Sequence, residues 1–258
     1  MRRRFLCAVV VALGLTAGCN EERATPIAPT ATAANRRVLV VTHTTGFRHS
    51  SISLAESIIE QLGRSSGAYS VVFCRTAADV ARLLTPAGLG DIDAVVFANT
   101  TGNLGIPELQ GFLDWVAAGH GFAGMHSAAD TYRDAPTYLA LLGNELVTHG
   151  DQAEVNARVE NATHPAVAHF GGGYRVFDEI YRFAQSNRAS VNLLLSVDRA
   201  PLDGLPDAGQ PGDLPLAWFK THGAGRVFYT ALGHREEVWQ DTRFQQHVLG
   251  GIRWALER

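Results

Sequence analysis

Between Arg37 and His126 the chain alternates short apolar runs with amphipathic segments, and this alternation restricts the fold more than any other feature. "RVLVVTH" (37–43), "YSVVFC" (69–74), "IDAVVFANT" (92–100) and "GFAGMH" (121–126) have strand length. They are nearly continuous apolar runs, as expected of strands buried on both faces. Between them, "SSISLAESIIEQLG" (50–63) repeats Ile52, Ala55, Ile59 and Leu62 at helical spacing, with Ser50 as N-cap and Gly63 as stop. "TAADVARLLT" reads as a second helix. "PELQGFLDWVAAGH" reads as a third, with Pro107 in its first turn, Leu109, Phe112, Leu113 and Val116 on one face, and Gly119 at its end. Strands alternating with helices imply right-handed βαβ units and a parallel sheet.

After Gly150 the pattern changes. "QAEVNARVE", "YRVFDEIYRF" and "VNLLLSVD" are strand-like, with few helices between them. They either extend the sheet or form an antiparallel addition. "LPLAWFKTHGAGRVFYTALGH" reads as a hairpin turning at "HGAG". "TRFQQHVLGGIRWALE" closes the chain as a helix, with Phe244, Val248, Ile252 and Ala255 in register. The expected fold is a flavodoxin-like three-layer α/β sandwich over residues 36–258, with a mostly parallel sheet and extra β elements in its C-terminal half. A 46% hydrophobic and 18% charged composition suits such a core.

Residues 1–18 have a different character. "RRR" precedes the apolar run "FLCAVVVALGLTAG", and "LTAGC" ends it. A basic start, a short apolar stretch and small residues before a cysteine describe a secretory signal peptide with a lipobox, although Thr16 stands where leucine is more usual. The run is shorter than the roughly 20 apolar residues of a membrane-spanning helix. The expectation is an exported protein, lipidated at Cys19 and anchored to a bacterial membrane. Asn20, by resemblance to enterobacterial lipoproteins, favours the outer membrane. Residues 20–35, rich in Ala, Thr and Pro, read as a flexible tether. Cleavage removes three arginines and no acids, which shifts the formal charge from −3 to −6. With no other basic run in the chain, nucleic-acid binding is not expected. Cys74 then remains as the one unmodified thiol, so no disulfide is expected within the chain.

In an open parallel sheet, ligands bind beyond the carboxyl ends of the strands. The residues following each strand therefore carry the functional reading. His49 follows the first, Thr100 the third, His126 with Asp130 the fourth, and His234 with Glu237 the late strand; His149 lies in the loop "THGD". His43 and His120 suit structural roles, and His164, His169, His222 and His247 look like turn or surface residues. A ring at His126, between a strand end and the following helix, would be neutral and able to act as base, donor or metal ligand. Asp130 or Glu237 could orient it. No HExxH or CxxC spacing occurs, so a divalent metal is possible without being indicated by spacing.

Taken in order, "VLVVTHTTGFRHSSI", "DAVVFANTTGNL", "GFAGMHSAADT", "DEIYRF", "LPLAWFKTHGAGRVFYTALGH" and "LGGIRWAL" resemble the ThuA-like, or trehalose-utilisation, family. The resemblance runs from Val38 to Leu256. It implies a fold similar to class I glutamine amidotransferases, in which "GMHS" occupies the elbow of the nucleophilic cysteine and "GHREE" resembles the segment carrying the catalytic histidine and glutamate. With His126 in the thiol's place and Cys74 on another strand, glutamine hydrolysis is not expected.

The family context implies a carbohydrate ligand. The expected function is therefore acid–base chemistry on a sugar or sugar derivative, with His126, His234, Glu237 and Asp130 catalytic. His49, Thr100, His149, Asp178, Glu179 and Tyr181 would bind substrate. A non-catalytic sugar-binding lipoprotein and a metal-dependent hydrolase are the alternatives. No GxGxxG fingerprint occurs, so no nucleotide cofactor is expected. Oligomeric state is left open.

Overall fold

Four apolar runs form the first four strands: β1 (Arg37–Val41), β2 (Ser70–Cys74), β3 (Ala94–Ala98) and β4 (Gly121–Met125). The structure is a computed structural model, and it describes residues 36–184, 189–198 and 213–257. The signal peptide, Cys19 and the tether lie outside the described residues. The remaining strands are β5 (Leu146–Val159), β6 (Tyr174–Phe183), β7 (Asn192–Asp198), β8 (Asp213–His222) and β9 (Gly225–Thr230). All nine belong to one sheet, in the order β2-β1-β3-β4-β9-β8-β7-β5-β6.

The first five strands of that order are mutually parallel. The other four continue the sheet antiparallel, beginning with the β8–β9 hairpin. Both alternatives left open after Gly150 are thus realised together: the addition is antiparallel and it extends the sheet.

The helices are α1 (Ile52–Ser66), α2 (Ala77–Leu83), α3 (Leu109–Ala117), α4 (Pro136–Leu142), α5 (Glu236–Gln240) and α6 (Thr242–Leu256). Side-chain alternation along the strands divides the core in two. Val38 and Val40 face Ile59 of α1 and Phe244, Val248 and Ile252 of α6. Leu39 and Val41 face Val80 of α2, Phe112 and Val116 of α3, and Leu141 of α4. Each large side chain buried this way contributes about 1.5–3 kcal/mol. These are the three layers.

Helix α1 departs from expectation at both ends. Ser51 is the N-cap and the helix runs past Gly63 to a left-handed Gly67 at φ 65°. Gly63 is a packing residue, because a Cβ there would lie 2.4 Å from the Tyr69 ring. A glycine chosen for close approach is locally indistinguishable from a stop. No helix among the described residues is long and apolar enough to cross a membrane.

Two histidines expected at the surface are buried, His164 and His247. His247 of α6 donates from Nδ1 to the Ala166 carbonyl at 2.8 Å. Burial pushes its pKa down to about 3 and that of His164 to about 4. The folded pKa lies below the unfolded value near 6.5, so both groups contribute their full stability above about pH 6.5. That contribution is lost as pH falls through the window toward 4 and then 3, at about 1.4 kcal/mol per pH unit for each group. Urea unfolding between pH 7 and 4.5 should therefore show falling stability. The decline should be shallower in His247→Asn, which keeps a donor near Nδ1. An unchanged slope would contradict the assignment.

Candidate active site

The chain passes from β1 out to β2 and then returns to β3 on the other side of β1, so β1 and β3 flank a topological switch point. Loops diverge there and leave a crevice at the carboxyl edge. A cavity of ≈360 Å³ opens at this edge, lined by Phe47 and His49 after β1, Thr101 after β3, Ser127 and Asp130 after β4, and His234 after β9. Strands β5 and β6 complete it with His149, Glu179 and Tyr181. The far end of the sheet order therefore curls back over the strand ends.

His126 is the centre. It is fully buried and begins a 3-10 turn (His126–Asp130) directly after β4. Its φ of 46° is left-handed, a costly conformation for a non-glycine residue that persists only when its surroundings hold it. They do. Nδ1–H donates to the Ala231 carbonyl at 2.8 Å, and the Tyr229 hydroxyl donates to the His126 carbonyl at 2.7 Å. A carbonyl can only accept, so Nδ1 carries a proton, and Nε2 points into a cluster of side chains that line the cavity. Nε2 meets His49 Nε2 at 3.2 Å, His234 Nδ1 at 3.3 Å, the Tyr181 hydroxyl at 3.0 Å and Glu179 Oε2 at 3.5 Å.

The neighbours divide by charge. Burial, together with the adjacent His126 and His234, pushes the His49 pKa down to about 3, so this ring is neutral. Contact with Glu179 raises the pKa of His234 despite its partial burial. Burial works against ionisation of Glu179, but the contacts with His126 and His234 outweigh it and hold the carboxyl below the usual range. Half-exposed His149 reaches Glu179 Oε1 from the mouth of the cavity at 3.1 Å. The result is a carboxylate between one inner and one outer imidazole, beside His126 Nε2. Such a set can accept, pass on and return a proton. His49, His126, His234 and Glu179 also each present one ligand atom, all within 4.8 Å of one another, which is a donor set for a divalent metal.

Of the residues expected in the site, His49, His126, His149, His234, Glu179, Tyr181 and Asp130 come together. Three do not. Glu237 lies in α5 with its side chain 66% exposed, paired to Arg235 at 2.9 Å. Thr100 is buried and bonded to Thr131 Oγ1 at 2.7 Å. Asp178 and Glu179 are consecutive on β6, so alternation sends them to opposite faces. Glu179 and Tyr181 face the cavity, while Asp178 is fully buried behind it. Asp178 accepts the backbone N–H groups of Gly233 at 2.7 Å and Arg235 at 3.2 Å, the two residues flanking His234. Its role is to position the His234 loop.

Gly233 is held from its other side too. Its carbonyl accepts from Asn99 Nδ2 and Trp239 Nε1, both at 2.8 Å, and from Ser51 Oγ at 3.3 Å. Its φ of 113° admits few other residues.

Phe47 and Arg133 were not anticipated. Phe47 is 67% exposed at the rim, with its ring edge-on to His49 at 4.9 Å. An aromatic inside the polar run "THTTGFRHS" was the available signal. Arg133 is paired to Asp130 at 3.2 Å and donates to the Leu146 carbonyl at 3.0 Å, which fixes one wall. Cys74 is buried at the end of β2 with its thiol pushed up to about 12, so it is an inert core residue.

Fold and site together define an α/β sandwich protein with an imidazole–carboxylate pocket at the carboxyl edge of its sheet. The chain belongs to the ThuA (trehalose utilisation) family, whose profile matches residues 37–255. It is similar to a solved putative ThuA-like protein from Bacteroides uniformis, with 20% identity, TM-score 0.70, and coverage of 89% of this chain and 94% of that one. A putative ThuA-like protein from Parabacteroides merdae is similar at 19% identity and TM-score 0.68, covering 86% and 90% of the two chains. A cytoplasmic protein of Salmonella typhimurium shares the fold at 14% identity and TM-score 0.58, covering 86% of this chain and all of that one. No curated protein matches the sequence.

Proposed function

We propose that this ThuA-family protein binds a sugar or sugar derivative in the cavity above His126 and transforms it by proton transfer. One observation carries the reading: a buried cluster of three imidazoles and a carboxylate forms the floor of a ligand-sized pocket. The family's trehalose-utilisation description supports a carbohydrate as the ligand. The exposed ring of Phe47 supports it as well, because sugar rings present apolar C–H faces to aromatics. Nε2 of His126 acts on the reacting group through the lining residues His49, His234 and Glu179 that it touches. His234 and His149, on either side of Glu179, exchange the proton with the substrate and with solvent. Asp130 and Arg133 shape the wall.

The test is a panel of oxidised and unmodified disaccharides, with products followed by NMR. New product signals are expected from at least one class. Saturable binding with no product from any of them would favour a binding protein instead.

We also propose export and lipidation at Cys19. Cells fed a labelled fatty acid should label the wild-type chain and not Cys19→Ser. Equal labelling of both would overturn the anchor.

A further inference from the structure

We propose that His49, His126, His234 and Glu179 bind one divalent transition-metal ion of the zinc class. The proposal rests on the reading of this cluster as the chemical centre, and it names the electrophile there.

The geometry is the first argument. Zinc holds imidazole nitrogen at about 2.0–2.1 Å and carboxylate oxygen at about 2.0–2.2 Å. Neighbouring donors on a tetrahedron of that size lie about 3.3–3.5 Å apart. The separations here are 3.2 Å for His49–His126, 3.3 Å for His126–His234, and 3.5 Å for both His126–Glu179 and His234–Glu179. Four of the six edges thus have the length that a shared ion imposes. The other two are at most 4.8 Å.

The second argument is the tautomer. His126 Nδ1 donates to Ala231, so the neutral ring presents Nε2 as a ligand atom. The Tyr181 hydroxyl is enough to satisfy that atom, so the convergence of two further ring nitrogens and a carboxylate on it exceeds what hydrogen bonding needs. It is the usual arrangement around a cation.

The third argument is the outer layer. Metal-binding imidazoles and carboxylates typically have their other polar atom held by a partner, which fixes tautomer and orientation. His126 Nδ1 has Ala231, His49 Nδ1 has Ser127 Oγ at 3.3 Å, and Glu179 Oε1 has His149 at 3.1 Å. Three nitrogens against one oxygen select a zinc-class ion over calcium or magnesium, which take oxygen donors. With such an ion bound, His126 Nε2 and His234 Nδ1 would serve as its ligands, the ion would polarise a sugar carbonyl or hydroxyl in their place, and His149 would be the free imidazole left to exchange the proton.

The mature chain, stripped with chelator, should be titrated with zinc by calorimetry and, separately, with cobalt(II) by absorption. The expected result is one ion per chain and the strong visible bands of low-coordinate cobalt. His126→Ala and Glu179→Gln should weaken zinc binding by at least about 100-fold, and exposed Glu237→Gln should not. Less than one ion per chain, weak octahedral cobalt bands, or equal affinity in all variants would overturn the site. The wild-type cobalt spectrum decides even if a variant fails to fold. Stoichiometric zinc with no sugar turnover supports the site and overturns only the functional reading. Full turnover by the stripped protein overturns the site and leaves that reading standing.

Discussion

If the proposed reaction holds, His126→Ala is expected to lower sugar turnover by about 10²–10⁴-fold, the range that a positioned acid–base group contributes. The loss falls on kcat more than on KM, because the cavity walls formed by Phe47, Arg133 and Val147 stay in place. Removal of the ring leaves the Tyr181 hydroxyl, His49 Nε2 and His234 Nδ1 without the atom on which they converge. Alanine inherits the φ of 46°, so the variant carries the same backbone constraint as the wild type. Comparison with His126→Gly, which has no such constraint, separates chemistry from backbone. Both variants should lose activity alike while differing in melting temperature. A rate within a few-fold of wild type in either would remove His126 from the mechanism.

Asp178→Ala is expected to be the most damaging change to stability around the site. It orphans the N–H groups of Gly233 and Arg235, and a buried donor left unpaired costs about 1–3 kcal/mol. The effect also reaches the chemistry. His234 lies between those two residues, so releasing the loop moves its ring away from Glu179 and His126. Asp178→Asn retains an accepting oxygen and should fall between wild type and alanine in both stability and turnover. Denaturant unfolding and steady-state kinetics on the three proteins check this. Wild-type turnover in a destabilised Asp178→Ala would contradict the positioning role.

Much of the parallel half was legible in the sequence, because a strand buried on both faces must be apolar throughout and each is followed by a helix with one apolar face. Gly63 misled because close packing against Tyr69 and helix termination call for the same residue. His164 and His247 misled because a neutral imidazole bonded to the backbone is accepted in a core: His247 donates to the Ala166 carbonyl and His164 accepts from the Ala166 N–H, and composition carries no sign of either. The site was legible where strand ends define it, at His49, His126 and His234. Its acid partner was not. "GHREE" points to Glu237 because that residue is near in sequence, but the α5 turn carries it outward beside Arg235. Glu179 comes from β6, which the antiparallel extension folds back over the strand ends. Which of Asp178 and Glu179 faces the cavity is a question of register, and register is fixed by pairing with β5.

The central claim is that sugar binds against the His126 cluster. Imidazole nitrogens and their attached ring protons give separate correlations in two-dimensional NMR, each assigned by its loss in a single histidine variant. Addition of the disaccharide that the panel selects should shift the signals of His126, His234 and His149 and leave His247 and His164 unmoved. Saturable binding that shifts none of the three pocket histidines would contradict the account.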